Sequence, residues 1–196
     1  MIAGVLLAAG ESTRMGQLKA LLPWRGTTLL ESQVSALAAV GVSPLVVVLG
    51  HRSPELASLL PSSAQMVLNE RYREGKSTSI VAGVSALPAS VEAALVVAVD
   101  QPTEAGVLLS LLDGYLPSRP SVLMPSINFR RGHPTLFDRR VFPDLEAISE
   151  EREGLREVMD RYEGEIRYVE VETELVRTNL NSPEEYEAAY SRWGER

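Results

Sequence analysis

Ile2-Ala3-Gly4-Val5-Leu6-Leu7-Ala8-Ala9-Gly10 is the stretch on which the fold turns. Ile2–Ala8 is a continuous apolar run that breaks into Ala-Ala-Gly. That is the pattern of a central strand buried on both faces and delivering the chain into a turn. In open α/β sheets ligands bind where the strands' carboxyl ends stop, so the residues after Ala8 are the first place to look for a site. The run is far shorter than the roughly 20 residues that cross a bilayer. No Lys or Arg precedes it and polar residues 11–14 interrupt it, so it reads as a buried strand rather than a secretory leader.

Working outward, Thr28 followed by Glu31 has the spacing of a capping box and predicts a helix over 29–40, stopped by Gly41. Strands follow at Leu45–Leu49 and 65–68, with a short helix over 54–60 between them. The pattern then predicts a helix over 78–87, a strand over 94–99 that ends on Asp100-Gln101-Pro102, and a helix to residue 116 capped by Thr103. A strand at 121–124, a hairpin around Arg131-Gly132 within 128–137, an exposed helix over 152–162 and a strand at 166–171 come next. Ser182, Pro183 and Glu185 are the cap, first-turn residue and box partner of a terminal helix. Strands alternating with helices predict an α/β fold, Rossmann-like and three-layered, with a mostly parallel sheet covered on both faces. With no repeat or linker in sight, residues 1–196 are expected to form a single domain.

Composition narrows the chemistry. The chain has no cysteine, which removes disulfides, thiolate zinc sites and cysteine nucleophiles, and is compatible with the reducing cytoplasm expected for it. His51 and His133 are the only histidines, so oxygen ligands and a hard cation such as Mg²⁺ are the metal chemistry left. A net charge of -7 argues against a nucleic-acid partner, and the short apolar runs against a membrane one. A phosphate ligand would have to be met by a local positive site.

Such a site is available in Gly10-Glu11-Ser12-Thr13-Arg14-Met15-Gly16, with Lys19 three residues on. Glycines at both ends let backbone N–H groups turn toward phosphate oxygens, and Arg14 and Lys19 can neutralise a triphosphate. It is not a Walker A loop, because Gln17 follows Gly16, and it lacks the GxGxxG spacing. An ordinary turn with both cations in solvent would use the same residues. Asp100 ends an apolar strand, where a carboxylate needs a partner: a divalent cation at the sheet rim, or the helix that follows. Asn181 offers a neutral oxygen to a metal, or satisfies a turn. Asn69, Gly75, Ser77 and Ser79 precede or open a helix, where they could meet a polar ligand or simply cap.

The string Leu7-Ala8-Ala9-Gly10-Glu11-Ser12-Thr13-Arg14-Met15-Gly16-Gln17-Leu18-Lys19, then Leu21-Leu22-Pro23, resembles the LAAGxSxRMGxxK-LLP signature of the MobA-like nucleotidyltransferase superfamily. Val99-Asp100-Gln101-Pro102, residues 69–79 and Arg131-Gly132-His133-Pro134-Thr135-Leu136-Phe137 are similar to the VDQP, N-x5-G-x-S-x-S and RGHPVLF segments of its molybdenum cofactor cytidylyltransferase branch. Residues 179–185 resemble the segment that closes the metal site, with Asn181 where that branch more often carries Asp. Glu153-Gly154-Leu155-Arg156 faintly resembles GDxGAR, which implies a further cation near the acceptor.

The resemblance implies a fold of the nucleotide-diphospho-sugar transferase type and a nucleotide site of Leu7, Ala8, Ala9, Gly10, Ser12, Arg14, Gly16, Lys19, Asn69, Gly75, Ser77 and Ser79. It further implies Arg14, Lys19 and Asp100 as catalytic groups, Asp100 and Asn181 as ligands of Mg²⁺, and Gly132, His133 and Pro134 on the acceptor side. The expected reaction moves CMP from CTP to the terminal phosphate of molybdopterin, releasing pyrophosphate. GTP use on molybdopterin, another small phosphate acceptor, or a non-catalytic chaperone delivering cofactor to a molybdoenzyme client are the alternatives.

Overall fold

The computed structural model describes residues 1–195; Arg196 and the side chain of Arg14 lie outside the described residues. In chain order the elements are β1 (Ile2–Ala8), β2 (Pro23–Trp24), β3 (Thr27–Thr28), α1 (Leu29–Ala39), β4 (Leu45–Leu49), α2 (Ser53–Ala57), β5 (Ala64–Leu68), α3 (Lys76–Ser85) and β6 (Ala93–Ala98). They continue as α4 (Ala105–Tyr115), β7 (Val122–Ile127), β8 (Arg130–Arg131), β9 (Thr135–Asp138), α5 (Phe142–Glu146), α6 (Leu155–Arg161), β10 (Ile166–Glu170) and α7 (Pro183–Ala189).

The main sheet runs β10-β7-β9-β6-β1-β4-β5, with β8 paired to β7. β1 pairs parallel with β4 and β6, as do β4 with β5 and β10 with β7, whereas β9 lies antiparallel between β6 and β7. β1 sits in the middle because both its faces are apolar. Ala3, Val5 and Leu7 pack with Val46, Val48, Ile80 and Val84 on one side of the sheet. Leu6 and Ala8 point the other way, toward Leu30, Val34 and Leu37 of α1 and Leu108 and Leu111 of α4. The period-two alternation thus divides the core into two layers around one sheet, the three-layer α/β architecture expected from the sequence.

Close packing of α3 on β1 depends on Gly83, where an added Cβ would stand 2.5 Å from Val5 Cγ1 and 3.0 Å from Val48 Cγ2. Both neighbours are β-branched and stiff, so they have little room to yield. Gly83→Ala is therefore expected to destabilise by about 1–3 kcal/mol despite alanine's better helix propensity. A denaturant titration should show a lower midpoint at unchanged slope.

Three sequence expectations are corrected. The hairpin turns at Asn128-Phe129, not at Arg131-Gly132: β7 and β8 pair antiparallel through Ser126 and Arg131, and Asn128 and Phe129 both take positive φ (50° and 61°). Consecutive left-handed residues are what a two-residue hairpin needs to match strand twist. Glu170 fixes this turn by accepting from the Ser126 hydroxyl and the Asn128 N–H, each at 2.7 Å. Thr103 does not cap α4; the N-cap residue is Glu104, and the Thr103 hydroxyl is buried without a hydrogen-bond partner. The helix predicted over 152–162 begins only at Leu155, after a 3₁₀ turn at Glu150–Arg152. The small β2–β3 hairpin was not anticipated, its strands being too short to carry a pattern.

Candidate functional site

The carboxyl end of β1 delivers residues 7–10 to the sheet rim, and the chain then folds into a 3₁₀ turn, Thr13–Met15, bracketed by Ser12 and Gly16 in left-handed conformation. The Ser12 hydroxyl accepts the Lys19 N–H at 3.0 Å, closing the loop on itself. Lys19, only 9% exposed, points inward, and its ammonium donates to Asp100 Oδ2 at 3.1 Å and to Asn181 Oδ1 at 3.3 Å. Residues 81 and 162 positions away in sequence thus converge on one cation.

Each oxygen is held from behind. The Asp100 carbonyl accepts from Leu180 N–H at 2.8 Å, which ties the end of β6 to the segment carrying Asn181. Buried Gln33 of α1 donates to the Ala98 and Val99 carbonyls just before Asp100. Asn181 N–H donates to Glu185 at 2.7 Å, and Glu185 also closes the capping box of α7 with Ser182. The local box predicted from sequence therefore positions a group of the site.

Around this cluster lies a cavity of about 280 Å³. Leu7, Ala8, Ala9, Gly10, Ser12, Lys19, Gly75, Ser79, Asp100 and Asn181 line it, and the amino end of α3 faces in. Gly16 is not in the lining: it ends the 3₁₀ turn at φ 67°, a conformation glycine adopts without strain. Asn69 and Ser77 also stand outside it. Both Asn69 amide hydrogens are spent on Thr78 and Ser79 hydroxyls, and its oxygen accepts from Arg71 N–H, so it braces the start of α3. Ser77 is buried, with its N–H donating to Glu150 at 2.7 Å. The Glu150 carboxylate rests over the positive end of α3 where a Cβ on Gly75 would clash with it. The sequence reading missed Glu150, and also Lys76, Tyr72 and Leu18, which line the cavity. Lys76, directly after Gly75 and inside a helix start, was the available signal for a further cation.

The three acceptor-side residues lie beyond this cavity. Gly132 is buried, its N–H donating to the Pro125 carbonyl and its α-carbon tight against Val176. His133 lines a smaller cavity of about 40 Å³ that shares Leu7, Lys76 and Ala98 with the larger one, and buried Pro134 follows it. Arg156 instead faces solvent in long pairs with Glu153 and Asp160.

Burial pushes the pKa of His133 down to about 4, with no ring-nitrogen hydrogen bond of good geometry to hold the proton. It is thus a neutral imidazole at pH 7, able to offer a hydrogen bond but not a charge. Below about 6.5 the unfolded chain takes up a proton at this residue and the folded chain does not until about pH 4. Stability is accordingly expected to fall by roughly 3 kcal/mol between those values through this group. Urea unfolding of wild type and His133→Gln across that range should show the extra acid sensitivity in wild type only.

Among the described residues no group of three or more His, Cys, Asp or Glu side chains is arranged to hold a metal. Asp100 and Asn181 are two oxygens, which suits an ion that keeps water and takes its other ligands from substrate phosphates. Their fit to a cation is shown by the Lys19 ammonium, which stands between them. No helix among the described residues is long and apolar enough to cross a membrane.

Residues 4–166 match the family model described as a MobA-like NTP transferase domain. Nicotine blue oxidoreductase of Paenarthrobacter nicotinovorans is 34% identical over 166 residues, 79% of each chain. Molybdenum cofactor cytidylyltransferase of Escherichia coli is 26% identical over 195 residues, 97% of this chain and 96% of that one. Among solved structures, Rv0371c of Mycobacterium tuberculosis superposes with a TM-score of 0.84 at 23% identity over 97% of each chain, and a manganese complex of it with 0.80.

Proposed function

The chain belongs to the family of MobA-like NTP transferase domains, and from that premise we propose that it transfers CMP from CTP to the terminal phosphate of molybdopterin, with Mg²⁺ and release of pyrophosphate. The observation that carries the reading is the convergence of Lys19, Asp100 and Asn181 on a cavity walled by the glycine-bearing loop and the amino end of α3.

Asp100 and Asn181 would hold the ion, which when bound would neutralise charge on the triphosphate oxygens. The backbone of residues 7–10 seats the base and ribose side of the nucleotide. Lys19 turns its ammonium from the two oxygens to the phosphates, with Arg14 as a second cation. An acceptor phosphate oxygen attacks the α-phosphorus in line; the new P–O bond forms as the bridge to the β-phosphate breaks, and its electron pair leaves with pyrophosphate. A phosphate monoester has its second pKa near about 6, so the nucleophile is already anionic at neutral pH and no general base is required. The cavity accordingly needs alignment and charge rather than a proton acceptor, and neutral His133 is consistent with that.

Preference for CTP over GTP is supported by the segments around Asp100, Gly75 and His133, which are similar to the cytidylyltransferase branch. The 34% relative with an oxidoreductase name favours a second reading, in which the cleft serves an oxidoreductase reaction. Pyrophosphate release that a chelator abolishes is expected of the transfer reaction and not of that one.

The purified protein should be incubated with each of the four ribonucleoside triphosphates, Mg²⁺ and molybdopterin. The expected result is a cytidine dinucleotide and one pyrophosphate per product, both abolished by a chelator. No dinucleotide with any triphosphate would overturn the reading.

A further inference from the structure

Further along the carboxyl rim, past the antiparallel strand β9, lies a second open groove of about 650 Å³. Its lining is Ser126, Phe129, Arg130, Arg131, Tyr168 and Arg177. Phe129, at the tip of the β7–β8 hairpin, is fully exposed, and Tyr168 on β10 is half exposed. In this acidic chain Arg25, Arg52, Arg71, Arg73, Arg119, Arg140, Arg152 and Arg161 each have a carboxylate partner. Among the described residues none lies within ion-pair distance of Arg130, Arg131 or Arg177, which share the groove. The nearby Glu170 carboxylate is engaged in holding the hairpin turn.

Three free guanidinium groups beside two open aromatic faces make a receptor for a flat ring that carries negative charge: the rings stack, and the forks take oxyanions. The groove and the cleft are also mechanically joined. Arg177 and Asn181 lie on one segment, anchored at Val176 by the His133 N–H and at Leu180 by the Asp100 carbonyl, both at 2.8 Å. Four residues of chain span at most about 14 Å, and two strand spacings separate β6 from β7, about 10 Å. That is the reach of a single small molecule with a phosphate at one end and a ring at the other.

We infer that this groove is the distal half of the acceptor site, binding the planar anionic body of the acceptor while its phosphate lies at Asp100. The inference rests on the reaction proposed above, and it gives Arg130, Arg177 and Phe129 a share in choosing the substrate.

Arg130→Glu, Arg177→Glu and Phe129→Ala change exposed side chains. Two readouts apply: KM and kcat with CTP and the purified molybdenum cofactor, and binding of that cofactor without nucleotide, measured by equilibrium dialysis with the molybdenum quantified. Each arginine variant should raise the acceptor KM and weaken binding at least about tenfold, the loss of one charge-assisted contact, with kcat and the triphosphate KM nearly unchanged. Phe129→Ala should shift the same two quantities several-fold. Acceptor affinity equal in wild type and all variants, or no binding by wild type, would overturn the inference and leave the groove to another partner. Should wild type bind the pterin and the variants lose it while no triphosphate is turned over, the groove stands and the proposed reaction falls.

Discussion

Asp100→Asn is expected to lower turnover by about 10³-fold while leaving the fold in place. The carboxylate is the one negative charge among the groups that meet at the cavity centre, so its removal weakens the hold on a divalent cation by several kcal/mol, and each 1.36 kcal/mol is tenfold in rate. The amide keeps the size of the side chain and an oxygen for the Lys19 ammonium. Its carbonyl link to Leu180 is a backbone contact and survives. The cost to stability should stay within about 1–2 kcal/mol, because the Asp100 side chain is about a third exposed and the ion pair is partly screened. Steady-state pyrophosphate release and thermal unfolding, measured together, separate the two effects. Turnover within about tenfold of wild type would show that the reaction does not run through this carboxylate.

Lys19→Met has the second largest expected effect, and it should move two quantities in opposite directions. Turnover should drop by about 10²-fold or more, since the buried cation proposed to turn to the phosphates is lost. Affinity for Mn²⁺ without nucleotide should rise, because the ammonium that stands between Asp100 and Asn181 no longer competes for their oxygens. Methionine preserves the length and apolar stem of lysine, so packing changes little. A variant that was merely misfolded would weaken both readouts, which makes the pair of signs the informative result.

The features legible in the sequence were the local ones. β1 announced itself through an unbroken apolar run, and the Thr28–Glu31 and Ser182–Glu185 boxes form with the reciprocal bonds that their spacing implies. Asp100 and Asn181 are a different matter: each was a candidate ligand with an ordinary alternative, nothing in spacing alone brings together groups 81 residues apart, and only the resemblance to a family paired them. Where the residues allowed a plain structural role, Asn69 takes one through its side-chain amide and Ser77 through its backbone N–H. The hairpin was misplaced because a glycine was expected at the turn, whereas Asn128 and Phe129 adopt the left-handed conformation themselves. The partners of β9 were hidden for another reason. A four-residue strand inserted antiparallel into a parallel sheet carries no signal of its partners, and that insertion is what carries His133 to the rim between the two grooves.

The most direct measurement is Mn²⁺ binding by electron paramagnetic resonance, in the presence of a CTP analogue with a non-hydrolysable α–β bridge. Wild type should sequester one ion per chain, with Asp100→Asn and Asn181→Ala each losing most of that binding. Equal binding by all three proteins, or none by wild type, would contradict the account at its centre.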